Sequence, residues 1–111
     1  MNAVFALNER LAELIGDRDY HIAIRETHHI HKLDAPSGTA IKLAEGFIQH
    51  QKKLKSWQID EYGETSDVIL PIVVERKGEV NGYHEIIARS DADIIRISHE
   101  AFSREGFAIG A

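Results

Sequence analysis

Apolar residues fall at Val4, Leu7, Leu11, Leu14 and Ile15, with Glu9, Arg10 and Glu13 between them. That spacing predicts a helix over residues 2–15 with one buried face, and Gly16 is placed to close it. The period then changes. After an acidic turn at 17–19, the β-branched run His21-Ile22-Ala23-Ile24-Arg25 predicts a strand that continues through Thr27. A second helical stripe, Ala40, Leu43, Ala44 and Phe47 with Leu54 a turn or two later, predicts a helix from Ser37 or Gly38 to about Lys53. Pro36 stands just ahead of it, where proline is tolerated, and not in its interior. Residues 55–67 have no period and predict a surface loop anchored by Trp57.

Beyond residue 67 the pattern alternates, predicting strands at 68–75, 83–89 and 93–102. Pro71 predicts that the first of these lies at a sheet edge or near its own start. Lys77-Gly78 and Asn81-Gly82 are turn dipeptides, the second a strong hairpin signal. A Ser-Asp-Ala-Asp turn separates the last two strands. The predicted fold is α+β: a mainly antiparallel or mixed sheet of about four strands with helices packed on one face. Helical periodicity starts directly behind Met1, and Ser103 could cap a third helix for which little chain remains, so both ends read as cut.

Composition narrows the function. The 111 residues suit one domain, and the net charge of −5 argues against a dominant grip on nucleic acid or an anionic membrane surface. No cysteine is present, which excludes disulfides, thiolate metal sites and cysteine nucleophiles. No apolar run approaches the roughly 20 residues needed to span a bilayer, and no signal peptide opens the chain, so the expected location is cytoplasmic. No Gly-x-Gly-x-x-Gly unit is present either, so no dinucleotide-binding domain is expected within the chain.

The chemistry is concentrated between Arg25 and Ala40. Three of the seven histidines, Lys32 and the carboxylates of Glu26 and Asp34 lie there, followed by Pro-Ser-Gly-Thr. The first N–H groups of a helix lack internal partners and sit at its positive end. Gly38 would let an anion approach that backbone, with the Ser37 and Thr39 hydroxyls beside it. Ser37 capping its own helix explains the same residues without a ligand. Strand parity puts His28 on the face of Ile22, Ile24 and Glu26, and His29 on the face of Arg25 and Thr27. Histidine exchanges protons near neutral pH and lysine supplies a fixed positive charge, so these groups could hold a dianion and protonate it. A metal site of Glu26, His28, His31 and Asp34 is an alternative, although a strand-to-loop segment imposes no ligand geometry. His84 and His99 fall on alternating strands and are expected to line one sheet face, while His21 and His50 read as surface residues.

The run Glu26-Thr27-His28-His29-Ile30-His31-Lys32-Leu33-Asp34-Ala35-Pro36-Ser37-Gly38-Thr39-Ala40 resembles the E-x-H-H-x-x-K-x-D-A-P-S-G-T-A signature of the dihydrodipicolinate reductases. Two further blocks agree: Lys77 to Glu85 around Gly82 and His84, and His99 to Ala111 around Arg104 and Phe107. The chain differs from the family's usual pattern at 55–70, which is short and acidic where a Gly- and Arg-rich loop is common. The resemblance implies an NAD(P)H-dependent oxidoreductase of lysine and diaminopimelate biosynthesis. Residues 1–111 would be its substrate-binding and oligomerisation domain, with the dinucleotide-binding domain ahead of Met1 and a final helix after Ala111. It further implies His28 and Lys32 as catalytic residues, and His29, Gly38 and Thr39 as ligands of a small dicarboxylate. Arg104 and Phe107 would face the nicotinamide, no metal would bind, and a homotetramer would form through the sheet. His31 becomes a bystander. Two other readings stand beside this one: a non-catalytic oligomerising, ligand-binding module, and a metallohydrolase built on the histidine cluster.

Overall fold

The first strand in the chain is the middle strand of the sheet. In the computed structural model, which describes residues 2–30, 35–63 and 65–102, helix α1 (Asn2–Ile15) is followed by β1 (His21–His28), α2 (Gly38–Ile48), β2 (Ser56–Ile59), β3 (Ile69–Arg76), β4 (Tyr83–Arg89) and β5 (Ile94–Glu100). The sheet has five strands in the order β2-β3-β1-β4-β5. β1 runs parallel to β3, with Ile24 opposite Ile72, and antiparallel to β4, with Glu26 opposite His84. β2 joins β3 in parallel, and β4 and β5 form an antiparallel pair. This is the expected α+β class, with a mixed sheet and one more strand than predicted.

Both helices cover one face. Ile22 and Ile24 of β1, Leu70 and Ile72 of β3, and Ile86 and Ala88 of β4 meet Leu43, Ala44 and Phe47 of α2 in a single core. Alternation explains the choice of face, because successive side chains of a strand point to opposite sides. Ile22, Ile24, Glu26 and His28 are all buried, as their shared parity requires.

Several sequence expectations are corrected. The stretch 55–67 is not all loop: residues 56–59 form β2, and Trp57 packs against the core. Asn81-Gly82 does not close a hairpin between β3 and β4, because β1 lies between those strands. The 77–82 segment instead crosses the end of β1, where Lys77 N–H donates to His28 O at 2.8 Å and Ile30 N–H donates to Gly78 O at 3.1 Å. Of the two places expected for Pro71, it takes the one near its strand's start, as the third residue of β3, and not an edge strand. β3 begins pairing with β1 at Ile72, one residue later, so the missing N–H costs nothing on that side.

The helices also differ from expectation in detail. α2 stops at Ile48 and not near Lys53, and beyond it Asp17 Oδ1 accepts the N–H groups of Lys52 and Lys53 at 3.0 and 3.3 Å. Leu54 still reaches the core, but from outside the helix. On α1 the buried stripe is Val4, Asn8, Leu11, Ala12 and Ile15, while Leu7 and Leu14 are 55% and 58% exposed. Asn8 takes the inward position and donates from Nδ2 to Leu43 O at 2.9 Å, tying α1 to α2. Gly16 closes α1 as expected, at φ 56° with its N–H on Ala12 O.

Candidate functional site

At the C-terminal end of β1 the apolar face turns polar. Glu26 is fully buried beneath the start of α2, and three elements bring donors to its carboxylate. His28, two residues along the same face, donates from Nε2 to Glu26 Oε1 in a short direct hydrogen bond. The Ser37 N–H donates to Oε2 at 2.8 Å. His84 reaches across from β4, its Nε2 3.5 Å from Oε1 and 3.3 Å from Ser37 Oγ. The His28 and His84 rings meet edge to face at 5.2 Å.

Burial by itself would push the Glu26 carboxyl up, since an ion leaves water at a cost. The hydrogen bonds from His84 and from the Ser37 backbone and hydroxyl, with the charge of His28, outweigh it and hold the group down at about 2. Glu26 is therefore an anion, and the site has a negative floor. His99 lies opposite His84 on β5. Burial holds it below the usual histidine range, with His84 adding to the effect. The expectation that His84 and His99 share a sheet face holds.

Glu26, His28 and His84 are near enough to one another to share a metal ion. The His28–Glu26 contact, however, is a direct hydrogen bond. Hydrogen bonds and ring contacts join the three groups to one another and to Ser37.

The start of α2 is built in two parts. Ser37 is the N-cap: its Oγ accepts the Ala40 N–H at 3.2 Å and its carbonyl accepts the first helical bond, from Ile41. Its own N–H is taken by Glu26. The Gly38 and Thr39 N–H groups are claimed by neither Glu26 nor the Ser37 hydroxyl. A Cβ placed on Gly38 would meet nothing within 4 Å, and Gly38 is exposed. No packing within the described residues requires glycine there.

Of the sequence candidates, His28, Gly38 and Thr39 thus gather at one end of β1, and His29 follows directly as a partly buried residue. Lys32, with His31 and Asp34, and also Arg104 and Phe107, lie outside the described residues. Sequence reasoning missed the central place of Glu26, which it used only as a metal-ligand alternative. The signal was available: a carboxylate in phase with Ile22 and Ile24 must be buried, and a buried carboxylate must find donors. His84 came from a block some 50 residues away, and only the β1–β4 register brings it to Glu26.

Described parts of the first two motif blocks, far apart in sequence, therefore meet at the end of β1, and His99 of the third lies opposite His84. Comparison with known proteins agrees. The family model described as "Dihydrodipicolinate reductase, C-terminus" matches residues 1–111. The chain belongs to this family. It is 46% identical over its whole length to a 4-hydroxy-tetrahydrodipicolinate reductase of Christiangramia forsetii, covering 46% of that protein. It is 36% identical to one of Methanopyrus kandleri, again over the whole chain, covering 41% of it. The chain thus spans less than half the length of these curated relatives. Among solved structures it is similar to the dipicolinate-bound dihydrodipicolinate reductase of Paenisporosarcina sp. TG-14. There the TM-score is 0.71 at 25% identity, over 97% of this chain and 43% of that one.

Proposed function

We propose that this chain is the substrate-binding domain of an NAD(P)H-dependent 4-hydroxy-tetrahydrodipicolinate reductase, acting in lysine and diaminopimelate biosynthesis. The observation that carries the reading is the junction of β1 and α2. A histidine anchored on a buried anion stands there beside a helix start whose Gly38 is open to a ligand. A cyclic dicarboxylate needs both a cationic or N–H-rich cradle and a proton donor near its ring. The Gly38 and Thr39 N–H groups, with His29, would hold the carboxylates. His28 would deliver the proton, and Lys32 would stabilise the negative charge that develops on the ring.

The described residues contain no glycine-rich dinucleotide turn, and the N–H of the α2 cap is already given to Glu26. They do not fit a dinucleotide, so the hydride donor would be held elsewhere in the parent protein, with Arg104 and Phe107 toward the nicotinamide. Assembly into a homotetramer would use the sheet face opposite the helices, where Arg25, Glu85, Arg96 and Ser98 stand beside Thr27, Val73 and Ile87. No described helix is long and apolar enough to cross a membrane, in keeping with a cytoplasmic reductase.

Calorimetry with pyridine-2,6-dicarboxylate tests the reading. The folded chain is expected to bind it weakly, and Lys32→Ala to abolish binding. A folded chain that binds none would overturn a preformed substrate site. Light scattering of the purified chain reads the tetramer directly.

A further inference from the structure

We propose that Glu26 is a positioning residue whose two carboxylate oxygens span from the His28 imidazole to the start of α2, so that one side chain fixes the proton donor relative to the anion cradle. The inference rests on the roles given above to His28, Gly38 and Thr39.

The geometry is a bridge. Oε1 receives His28 from the same strand and Oε2 receives the Ser37 N–H, one residue ahead of Gly38. His84 braces both ends, lying 3.5 Å from Oε1 and 3.3 Å from Ser37 Oγ while its ring meets His28 edge-on. The groups facing the carboxylate thus come from β1, β4 and α2, with His99 of β5 behind His84. Such a bridge does not serve stability well. Buried ion clusters can often be replaced by apolar side chains at no loss of stability. What an apolar residue cannot do is hold an imidazole by one chosen nitrogen.

That choice has a chemical consequence. With Nε2 donating to Glu26, proton exchange with a ligand runs through the other ring nitrogen, Nδ1. A carboxylate ionised at neutral pH favours the imidazolium, so His28 enters the reaction carrying the proton it has to give. On transfer, Nδ1 loses that proton to the ligand, the ring becomes neutral, and Nε2–H stays on Glu26. Glu26 is an anion before and after.

Histidine-labelled chain, followed by NMR without any ligand, tests this. Glu26→Gln keeps the reach but removes the charge, and the ratio of protonated to neutral His28 at neutral pH is expected to fall about tenfold, an opposite charge at contact shifting a pKa by one unit or more. Glu26→Asp keeps the charge but is one methylene short. It is expected to preserve most of the His28 titration while moving the Ser37 amide resonance, because one carboxylate no longer reaches both partners. A folded Glu26→Gln chain with an unchanged His28 titration overturns the proposal. If that variant does not fold, an unmoved Ser37 amide in Glu26→Asp does so instead. Since no dicarboxylate is added, failure here is separate from failure of the chain to bind substrate.

Discussion

Two acid–base pairs sit on neighbouring residues of β1 and could hardly differ more. Arg25 points to the open face and meets Glu75 of β3 at 3.3 Å, both side chains close to half exposed. Glu26 points the other way, is wholly buried, and is held by three elements at once. Alternation along one strand separates the two pairs by a single residue. Water screens the first, and exposed pairs of that kind contribute about 0–1 kcal/mol. In the second, water has been replaced by fixed donors, so each partner depends on the others. The lesson is that the same chemistry becomes decoration or machinery according to which face of a strand it occupies.

The contrast can be broken most severely by Glu26→Ala. Removing one member of a buried charged cluster leaves His28, His84 and the Ser37 N–H without their acceptor, and a loss of about 3–5 kcal/mol is expected in urea unfolding. Acid exposes the same difference. Glu26 is held at about 2 against an ordinary 4.5. Its contribution is therefore complete above about pH 4.5 and disappears as pH falls through about 2. At 1.36 kcal/mol per unit this is about 3 kcal/mol, visible as a steep fall in midpoint over that window. Glu26→Gln should flatten it.

A third test sharpens the comparison by leaving the pair intact. Gly38→Ala meets no atom of the described residues and suits a helix start, so thermal stability should be unchanged or slightly raised. If Gly38 is there for a ligand, affinity for pyridine-2,6-dicarboxylate falls about tenfold, near 1.4 kcal/mol. Unchanged binding would return Gly38 to ordinary helix capping. The smallest effect belongs to the open face. In the monomeric chain, Arg25→Ala should cost under about 1 kcal/mol, and less still at high salt.

How much of this was legible beforehand varies by element. The β1 parity was readable because four consecutive in-phase residues are buried, and the α2 start was readable because Pro36, Ser37 and Gly38 each suit one position of a helix opening. β2 was not. It is four residues long with only one sheet neighbour, and Trp57 alone marks its inner face. The Asn81-Gly82 signal was real as a turn and misleading as a hairpin, since local chemistry cannot show that an earlier strand lies between two later ones. The α1 stripe was shifted because Leu7 outranks Asn8 in hydrophobicity, whereas a tertiary bond from Asn8 to Leu43 O decides which faces inward. The role of His84 was hidden for the same reason: it exists only in the register of β1 with β4.

The central place of β1 also bears on how the molecule is made. A strand made before both of its sheet neighbours must wait for them. At roughly 5–20 residues per second the wait is several seconds. His28 and Ser37 are made soon after Glu26, but His84 joins them only when β4 docks beside β1. The full Glu26 cluster therefore forms only after β4 has been made, and a nascent chain halted before Arg89 would carry the Glu26-to-Ala40 motif without its His84 partner.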